Sequence, residues 1–523
     1  MRRVGIFGWG IVAPRSPNVE AFARNLASSE SWLSPFEGYG PNNFLVGHPE
    51  FSFEEYRDWI NARFPSSRFR QLQEKMDPTT LYAVGSFIQS LGQNPGIEEE
   101  LQRLGTQTHV YVGCGIGNVL TIQQSTLALD RAQRAWDRFW AERNPGMAAW
   151  WDKTPEERAA TPDVPGDPAT LPPEDRSDAD RAWWHYWAGS CPDLRAYLAG
   201  LAEIEAMTVA GDVESGKMSL LKEKQRRFGQ LQKRWGAPQP PWLAVSANVV
   251  WNLHNTPAAQ ISMLGRITGL AFAPVAACST FGVALKLAMD AIERGEAKAV
   301  VVGATDPPPN TLSVGGFYSA RVVSTDGTVS KPLTGMRGTH VAGGSALWIV
   351  GDLEHMTARG FKPLGMEPVA VGVSSDADHI ITPSVDGPTE AMRQAFEASG
   401  IRPDEIATWD LHATATPGDY QEVHNLRSIL PDSVLVTARK GTFGHGMSVA
   451  GGWELTAQYL GYEQGVLFPT PLSRGELNQQ IAALHRDFVC DEAVPAPAGP
   501  AGKLSMGVGG INACVISRPW ANR

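Results

Sequence analysis

The sequence lacks the long apolar runs and the excess of positive charge that membrane proteins and nucleic-acid-binding proteins show. No run of about 18 apolar residues occurs, so we expect no transmembrane helix. The first ten residues, MRRVGIFGWG, are interrupted by glycines, and no small-residue cleavage site follows them. We interpret them as a buried strand rather than a signal peptide. The net charge of −10 gives no general attraction to nucleic acid.

The sequence is also poor in cysteine, and its cysteines follow no pairing pattern. The five are Cys114, Cys191, Cys278, Cys490 and Cys514. They are odd in number and widely scattered, and neither a CxxC motif nor a Cys/His metal spacing occurs. We therefore expect neither a disulfide framework nor a metal site. This cysteine usage fits a reducing, cytoplasmic compartment.

Apolar strands alternate with helical segments through most of the 523 residues. Residues 299–303 and 345–350 are short, uncharged apolar runs, which is typical of buried strands. Residues 390–399 follow helical spacing and end at Gly400, a helix C-cap signal. This alternation predicts an α/β fold in which helices cover both faces of a largely parallel sheet.

Residues 120–242 differ in composition from the rest of the chain. They contain nine tryptophans, and a stretch rich in proline and acidic residues divides their flanks, which look helical. We interpret this segment as a largely helical insertion whose tryptophans serve packing. Residues 217–235 are basic, and a solvated helix face is favoured over a docking surface for an acidic partner.

Residues 274–288, PVAACSTFGVALKLA, carry the functional argument. An apolar run predicts a buried strand up to Cys278, and apolar residues recur at helical spacing from Val283 to Ala288. A cysteine at this join faces the N–H groups of the first helical turn, which stabilise a thiolate and lower its pKa. The turn would also expose the side chain as a nucleophile elbow. An unreactive buried thiol is the alternative on this stretch alone.

Two histidines follow apolar strands directly. Residues 406–411 lead into His412, and residues 434–437 lead into Lys440 and His445. Open α/β sheets place their sites at the carboxyl ends of strands. The order strand, His412, turn and helix also echoes the order strand, cysteine and helix around residue 278. Two histidines on turns rich in glycine or alanine are hard to explain by packing, so we expect both to share a site with the cysteine.

Four motifs occur together in the order found in the β-ketoacyl synthases. They are Ala277-Cys278-Ser279-Thr280, the segment from His412 through Asp419 to Glu422, the segment from Lys440 to His445, and Gly507-Val-Gly-Gly-Ile-Asn512. The sequence resembles the branch of that family that elongates acyl chains on acyl carrier protein with a Cys-His-His triad. The resemblance covers residues 1–120 and 243–523, and the combination of motifs is highly specific.

The resemblance implies a thiolase-like fold of two pseudo-repeated βαβαβ halves in five layers. The nucleophile half would span residues 1–352 and contain the insertion at about 120–242. The histidine half would span residues 353–523. A homodimer is the implied assembly. The implied substrates are carried on the phosphopantetheine of acyl carrier protein or of CoA, without any further cofactor, in fatty-acid or polyketide biosynthesis.

The resemblance also implies a decarboxylative Claisen condensation. Cys278 would carry the acyl group as a thioester, and the backbone N–H groups of Cys278 and Val508 would form the oxyanion hole. A malonyl thioester would then bind to His412 and His445. As neutral imidazoles with the proton on Nε2, they would stabilise the enolate that remains when carbon dioxide leaves.

Further site residues follow from the same resemblance. Lys440 would pair with Glu422 and order the site. Substrate contacts are implied for Thr414, Thr416, Val508 and Asn512. The sequence departs from the family pattern at the gate, where Val508 replaces phenylalanine, and in His412-Ala-Thr-Ala-Thr416, where alanines replace two glycines. A smaller gate would admit an unusual or bulkier acyl group.

Two alternatives on the same fold stay open. A non-elongating acyltransferase would keep the cysteine and both histidines. A thiolase-like enzyme that condenses CoA thioesters would need a second catalytic cysteine near the C-terminus. Cys514 is close to the glycine loop, but it stands in an apolar strand, and we interpret it as a core residue.

Overall fold

The computed structural model describes residues 2–161, 163–209, 213–380 and 384–520. The chain divides into two compact units. The main unit comprises Met1–Leu120 and Val250–Arg523, and the insertion unit comprises Thr121–Val249. Within the described ranges, no helix is both long and apolar enough to cross a membrane.

The strands are mostly short apolar segments. In chain order they are β1 (Val4–Val12), β2 (Ser34–Pro35), β3 (Leu45–Val46), β4 (Thr108–Gly113), β5 (Ala271–Phe272), β6 (Ala299–Asp306), β7 (Gly344–Asp352), β8 (Met366–Ser375), β9 (Thr408–Asp410), β10 (Leu435–Thr437), β11 (Val466–Leu467), β12 (Val494–Pro495), β13 (Ala501–Gly507) and β14 (Ile511–Pro519).

The helices alternate with these strands. In chain order they are α1 (Val19–Leu26), α2 (Arg57–Arg63), α3 (Ser67–Lys75), α4 (Pro78–Ser90), α5 (Ile97–Arg103), α6 (Val119–Ala141), α7 (Pro145–Trp151), α8 (Pro155–Ala159), α9 (Arg176–Ser190), α10 (Pro192–Glu205), α11 (Val213–Trp235), α12 (Asn248–Trp251), α13 (Thr256–Gly265), α14 (Thr280–Glu293), α15 (Thr311–Ser319), α16 (Leu353–Ala358), α17 (Asp386–Ser399), α18 (Gly418–Arg427), α19 (Lys440–Phe443), α20 (Ala450–Gln464) and α21 (Gln479–Leu484).

The first sheet of the main unit has the strand order β1-β7-β6-β4-β5. β1 and β6 pair antiparallel with β7, whereas β4 pairs parallel with both β6 and β5. Every residue of β1, β4, β6 and β7 is buried. Strands covered on both faces have this continuous apolar character, which is why the sequence signals them clearly.

The second sheet repeats the arrangement in the order β8-β14-β13-β9-β10. β8 and β13 pair antiparallel with β14, whereas β9 pairs parallel with both β13 and β10. Both sheets are thus mixed, and the expectation of a largely parallel sheet is wrong. Apolar periodicity locates a strand but does not specify the direction of its neighbours. The shared order of pairings relates the two sheets as pseudo-repeats.

Five layers build the main unit. The central helices α14 and α20 contribute Phe281 and Trp453 to one core cluster with Trp348 of the first sheet and Val515 of the second. A second cluster packs α4 and α13 on the outer face of the first sheet. A third packs α17 and α18 on the outer face of the second sheet. The predicted layering of helices and sheets is therefore confirmed.

Each sheet leads from its parallel edge strand, β5 or β10, through a strained turn into a central helix. Ala277 has φ +47° in the turn before α14, and Met447 has φ +52° in the turn before α20. A non-glycine residue at positive φ is strained and needs the surrounding structure to hold it. Cys278, directly after the first strained residue, therefore corresponds to Ser448. The predicted echo between Cys278 and His412 is wrong.

The insertion unit is helical from α6 to α11, and most of its tryptophans lie in its two core clusters, whereas Trp151 and Trp242 are exposed. Two aromatic clusters are present, one of Trp136, Trp140 and Tyr197, the other of Trp150, Trp183 and Trp187. Rings meet edge to face, as in the Trp136–Trp140 pair with centroids 5.5 Å apart, an arrangement favoured by the ring quadrupole. These side chains serve packing. The basic residues of α11 are mostly exposed, and Glu223 pairs with Arg226 and Arg227.

Candidate active site

Side-chain hydroxyl groups fix the turn that carries Cys278. Thr280 Oγ1 accepts a hydrogen bond from the N–H of Ala276 (2.9 Å) and donates to the carbonyl of Ala277 (2.7 Å). Ser279 Oγ donates to a backbone carbonyl of β14 at 2.7 Å. The second sheet therefore helps to hold a turn that the first sheet provides.

The surroundings of Cys278 differ from the prediction in two respects. The preceding strand β5 ends at Phe272, and Val275 is 56% exposed, so the predicted buried strand up to the cysteine is wrong. Burial raises the pKa of the Cys278 thiol to about 11, although the N–H groups of Val508 and Cys278 hydrogen-bond to the sulfur and oppose this shift. The predicted lowering is wrong because the loss of water outweighs both amides.

His412 begins a loop that two carboxylates hold by its backbone N–H groups. Glu422 accepts from the N–H groups of His412 (2.6 Å) and Ala413 (2.7 Å). Asp419 accepts from the next two N–H groups at 2.8 and 3.1 Å. Burial raises the pKa of Asp419 to about 6 and that of Glu422 to about 7. Helix α18 supplies both acids and thereby sets the loop.

His445 is anchored through its backbone to the chain that precedes β7. Its N–H donates to the carbonyl of His340 (2.7 Å), and its carbonyl accepts from the N–H of Ala342 (2.9 Å). The rings of His412 and His445 meet edge to face with centroids 5.3 Å apart. Burial lowers the pKa of both imidazoles well below its usual value, and the ammonium group of Lys440 lowers it further. Both rings are therefore neutral at pH 7.

Lys440 is buried behind His412 and orients its ring. Its Nζ donates to the His412 carbonyl, lies 3.5 Å from Nδ1 of the same ring, and lies 2.6 Å from Glu454 Oε1. An ammonium group can only donate, so Nδ1 of His412 accepts and the ring proton is on Nε2. The predicted pair of Lys440 with Glu422 is wrong, because both oxygens of Glu422 accept from backbone N–H groups.

Sequence reasoning missed the buried charges beneath the histidines. Glu454 lies 2.6 Å from Lys440 and 2.7 Å from Lys503, and Arg439 Nε donates to Asp410 Oδ2 at 2.8 Å. Each of these side chains is at most 2% exposed. A signal was present, since Glu454 and Lys503 are single charges within otherwise apolar or small-residue runs. Such charges are buried only when they are paired.

One cavity of about 430 Å³ brings the predicted catalytic side chains together. Cys278, His412, His445 and Glu422 line it, whereas Lys440 stands behind its wall. The predicted substrate contacts that also line it are Thr414, Thr416, Val508 and Asn512. Its apolar walls include Ile116, Val119, Leu312, Phe317, Val322 and Met506. Such a cavity can hold an apolar acyl thioester with its carbonyl among hydrogen-bond donors.

The polar lining is ordered by short contacts. Thr414 Oγ1 and Thr416 Oγ1 are 2.9 Å apart, and Asn512 Nδ2 donates to a carboxylate oxygen of Asp376 at 2.7 Å. Of the two alanines in the His412 loop, Ala413 lines the cavity and the other does not. Only one of the two added methyl groups therefore reaches the space that a substrate would occupy.

The fold and the site define a thiolase-like protein with one cysteine and two histidines in a shared cavity. Family models match most of the chain. The model of the β-ketoacyl synthase N-terminal domain matches residues 1–149 and 220–355, and that of the C-terminal domain matches residues 367–472. The chain belongs to the β-ketoacyl synthase family, as the sequence resemblance predicts.

Curated relatives carry names from this family. A 3-oxoacyl-[acyl-carrier-protein] synthase 2 of Rhizobium meliloti (strain 1021) is 30% identical over 279 residues, 51% of this chain and 65% of the relative. Nodulation protein E of Rhizobium meliloti is 29% identical over 218 residues, 41% of this chain and 54% of the relative. The chain thus spans between half and two thirds of the length of these relatives.

Solved structures of ketosynthases share the fold. A β-ketoacyl synthase from Burkholderia phymatum STM815 has a TM-score of 0.68 at 18% identity and covers 100% of both chains. The ishigamide ketosynthase/chain length factor has a TM-score of 0.67 at 18% identity, with 99% of this chain and 100% of that chain covered. The structure of a type II PKS acyl-carrier protein in complex with its ketosynthase has a TM-score of 0.64 at 16% identity, with 99% of this chain and 100% of that chain covered. The predicted thiolase-like fold is confirmed.

Proposed function

We propose that this chain is a β-ketoacyl synthase, which joins an acyl group carried on Cys278 to a malonyl thioester with loss of carbon dioxide. The observation that carries the proposal is the shared cavity. It places one thiol, two neutral imidazoles and two backbone N–H groups around a single small volume. This set supplies both a nucleophile and donors for a developing oxyanion.

The first step in this proposal is acyl transfer to the cysteine. Cys278 Sγ attacks the carbonyl carbon of an acyl thioester, and the carbonyl oxygen gains negative charge. The N–H groups of Cys278 and Val508, which hydrogen-bond to the sulfur in the free protein, supply the donors for that oxygen. The carbon–sulfur bond to the carrier breaks, and the thiol proton of Cys278 leaves with the carrier thiol.

The second step is decarboxylation and condensation. His412 and His445 donate hydrogen bonds to the thioester carbonyl of the malonyl group, which requires neutral rings protonated on Nε2. The carbon–carbon bond to the carboxylate breaks and carbon dioxide leaves. The electron pair of that bond stays on the malonyl fragment and forms the enolate. The enolate carbon attacks the acyl carbonyl on Cys278, the carbon–sulfur bond breaks, and the thiolate takes up a proton.

The surrounding residues position these groups. Lys440 fixes the ring of His412, and Glu422 holds its backbone. Thr414 and Asn512 line the cavity where a phosphopantetheine arm would lie. Cys514 is fully buried in the second sheet and is not part of the cavity lining. It therefore gives no support to a thiolase-like reaction with two cysteines.

The proposal extends to carriers, assembly and location. Acyl carrier protein or CoA would deliver both thioesters, in fatty-acid or polyketide biosynthesis, and the chain would act as a homodimer without a further cofactor. The solved complex of a related ketosynthase with an acyl-carrier protein supports the carrier. A reducing, cytoplasmic location is supported by the five free cysteines. Sedimentation analysis should give twice the mass of one chain.

The experiment combines intact-mass detection of acyl groups with a carbon dioxide assay. The unaltered chain is expected to acquire one acyl group from a primer panel and to release carbon dioxide from a malonyl thioester. Cys278→Ala should lose the acyl adduct. His412→Ala and His445→Ala should keep the adduct but lose carbon dioxide release. An adduct without condensation in the unaltered chain would instead favour the non-elongating acyltransferase.

A further inference from the structure

Lys503 is a buried charge that the proposed mechanism leaves without a role. It stands on β13, and its side chain is 1% exposed. A buried ammonium group is unfavourable unless all its N–H groups are paired. Nζ donates to the carbonyls of Leu411 (3.1 Å) and Leu504 (2.6 Å) and lies 2.7 Å from Glu454 Oε2. Two of its N–H groups are thus hydrogen-bonded, and its charge is paired with that of Glu454.

The contacts of Lys503 lead directly to the histidines. Glu454 is fully buried on α20, with Oε1 2.6 Å from Lys440 and Oε2 2.7 Å from Lys503. A carboxylate held on both oxygens by ammonium groups has one orientation, so the position of Lys440 beside the His412 ring depends on Lys503. The carbonyl of Leu411, which also accepts from Lys503, immediately precedes His412.

Charge gives Lys503 a second effect. Lys440 and Lys503 share one carboxylate, Glu454, and the next acid in reach is Glu422. Burial raises the pKa of Glu422 to about 7, and the charge of Lys503 opposes that rise. As the pH falls through about 7, Glu422 gains a proton, and the positive charge of Lys503 beside it is then less well balanced. That charge opposes protonation of both imidazoles, whose pKa is lowered by burial, then by Lys440 and also by Lys503.

Other ionisable groups face the same region. Those around Lys503 are Asp410 on β9, Glu422 on α18, Lys440 on α19, Glu454 on α20 and Cys514 on β14. Those around the two imidazoles are Cys278, Asp376, His379, Asp419, Glu422, Lys440 and Lys503. Arg439 pairs with Asp410 at 2.8 Å, which leaves Glu454 and Glu422 as the carboxylates that balance Lys503.

We propose that Lys503 is a positioning residue of this active site. From the second sheet it fixes Glu454, and through it Lys440, so that His412 and His445 meet the malonyl thioester as neutral imidazoles. This inference rests on the proposed condensing function. It predicts that the enzyme keeps its decarboxylation activity at a pH at which ordinary histidines would be protonated.

The test compares three variants in carbon dioxide release between pH 5 and 8, with kcat and KM measured separately. Lys503→Met and Lys503→Gln remove the charge, and Lys503→Arg keeps it. In both neutral variants the loss of activity at low pH is expected to begin about one pH unit higher, which is about a tenfold lower kcat on that limb. KM should be unchanged because Lys503 does not line the cavity. Lys503→Arg should restore the limb.

A matched control is Lys298→Met, which removes a lysine paired with Asp352 at 2.8 Å, beside the first sheet. It should leave the pH profile unchanged. If Lys503→Met or Lys503→Gln folds and its activity begins to fall at the same low pH as that of the unaltered chain, the proposal is overturned. If neither variant folds, ring nitrogen shifts of the unaltered protein decide. Neutral Nε2–H rings for both histidines at pH 6 support the proposal, and imidazolium rings overturn it.

The two proposals fail in distinguishable ways. Absence of carbon dioxide release from the unaltered chain would count against condensation, and a comparison of the ring nitrogen shifts of the unaltered chain and of Lys503→Gln would still decide the part assigned to Lys503. Normal release with an unmoved pH limb in the charge-free variants would count against Lys503 alone.

Discussion

At the scale of single residues, the reactive cavity is shaped by a few side chains whose size or backbone conformation departs from the usual. Val508 is the clearest case. It lines the cavity, its side chain is smaller than the phenylalanine of the family pattern, and the residue is 42% exposed. Its N–H also hydrogen-bonds to Cys278 Sγ, so the same residue lines the cavity and contacts the cysteine.

Replacing Val508 with phenylalanine should narrow the range of accepted acyl groups. The larger ring fills cavity space, so acylation of Cys278 by long or branched acyl thioesters should slow more than acylation by short ones. Rates measured over a series of chain lengths check this. Val275→Phe is the matched control, because Val275 is exposed but is not part of the cavity lining. Unchanged selectivity in Val508→Phe would contradict the role of the gate.

Ala415 offers a second test at the residue scale. It has φ +59°, a conformation that costs an alanine about 1–2 kcal/mol and a glycine little. After the greater chain entropy of glycine in the unfolded state is subtracted, Ala415→Gly should stabilise the protein by ~0.5–1 kcal/mol. Urea denaturation measures this. Ala413→Gly in the same loop, where φ is not positive, should instead destabilise, and equal effects would refute the explanation.

The cysteine and the two histidines that share the cavity could be picked out from the sequence, but their electrostatic partners could not. Motifs name Cys278 and the histidines because reactive residue types stand after apolar strands. The acid that pairs with Lys440 could not be predicted, since the sequence offers several. Only the fold shows that both oxygens of Glu422 accept from backbone N–H groups. The direction of the pKa shift of Cys278 likewise depends on burial, which local sequence does not report.

At the scale of elements, close approach of backbones decides where strands and helices pack. On β1, a Cβ added at Gly10 would lie 1.8 Å from the carbonyl oxygen of Ser86 on α4, and one at Gly8 would lie 2.0 Å from that of Ser90. Only glycine allows α4 to pack this closely on the sheet.

Gly10→Ala should therefore destabilise the main unit by about 1–3 kcal/mol or more through overpacking. The midpoint of urea unfolding, followed by circular dichroism, measures the effect. Gly189→Ala in α9 serves as the control, since no atom lies within 4 Å of its added Cβ. That change should be neutral or stabilising by ~0.5–1 kcal/mol, the difference in helix propensity. A stable Gly10→Ala would contradict the packing argument.

Most strands of the two sheets could be located from the sequence, whereas their directions could not. Runs such as 299–303 are apolar because both faces of their strand are covered. The helix before Gly400 ends where the sequence indicates, with Gly400 at φ +67°. The predicted strand up to Cys278 is wrong because the apolar run around Val275 forms an exposed connection. Antiparallel pairing with β7 and β14 depends on chain topology, which periodicity does not encode.

At the scale of the whole molecule, the five thiols report on the fold. All five are free and buried, and the structure places only Cys278 in the lining of the cavity.

The proposed division at residue 352 stays a prediction. The sheets themselves, however, use strands from β1 to β7 and from β8 to β14 respectively.

Because Cys278 alone among the five lines the cavity, brief treatment of the native protein with a small maleimide should label it before the other four, and treatment in denaturant should add five labels. Labelling of the native protein should accelerate about tenfold per pH unit between pH 6 and 8, because burial raises the thiol pKa to about 11, well above that range. Intact-mass spectrometry counts the labels. Cys278→Ala should give none in the native state over the same time. Several labels of equal rate on the native protein would contradict the described burial.

The candidate active site takes its thiol from the chain of the first sheet and its imidazoles from the chain of the second, and a hydrogen bond joins the turn beneath the sulfur to β14. Neither half contains the cysteine together with both histidines. A gene cut between the two would encode fragments that each lack part of this set and part of the core that α14 and α20 share between the sheets. The two sheets repeat one strand order, yet they cannot be separated without dividing both the cavity and the shared core.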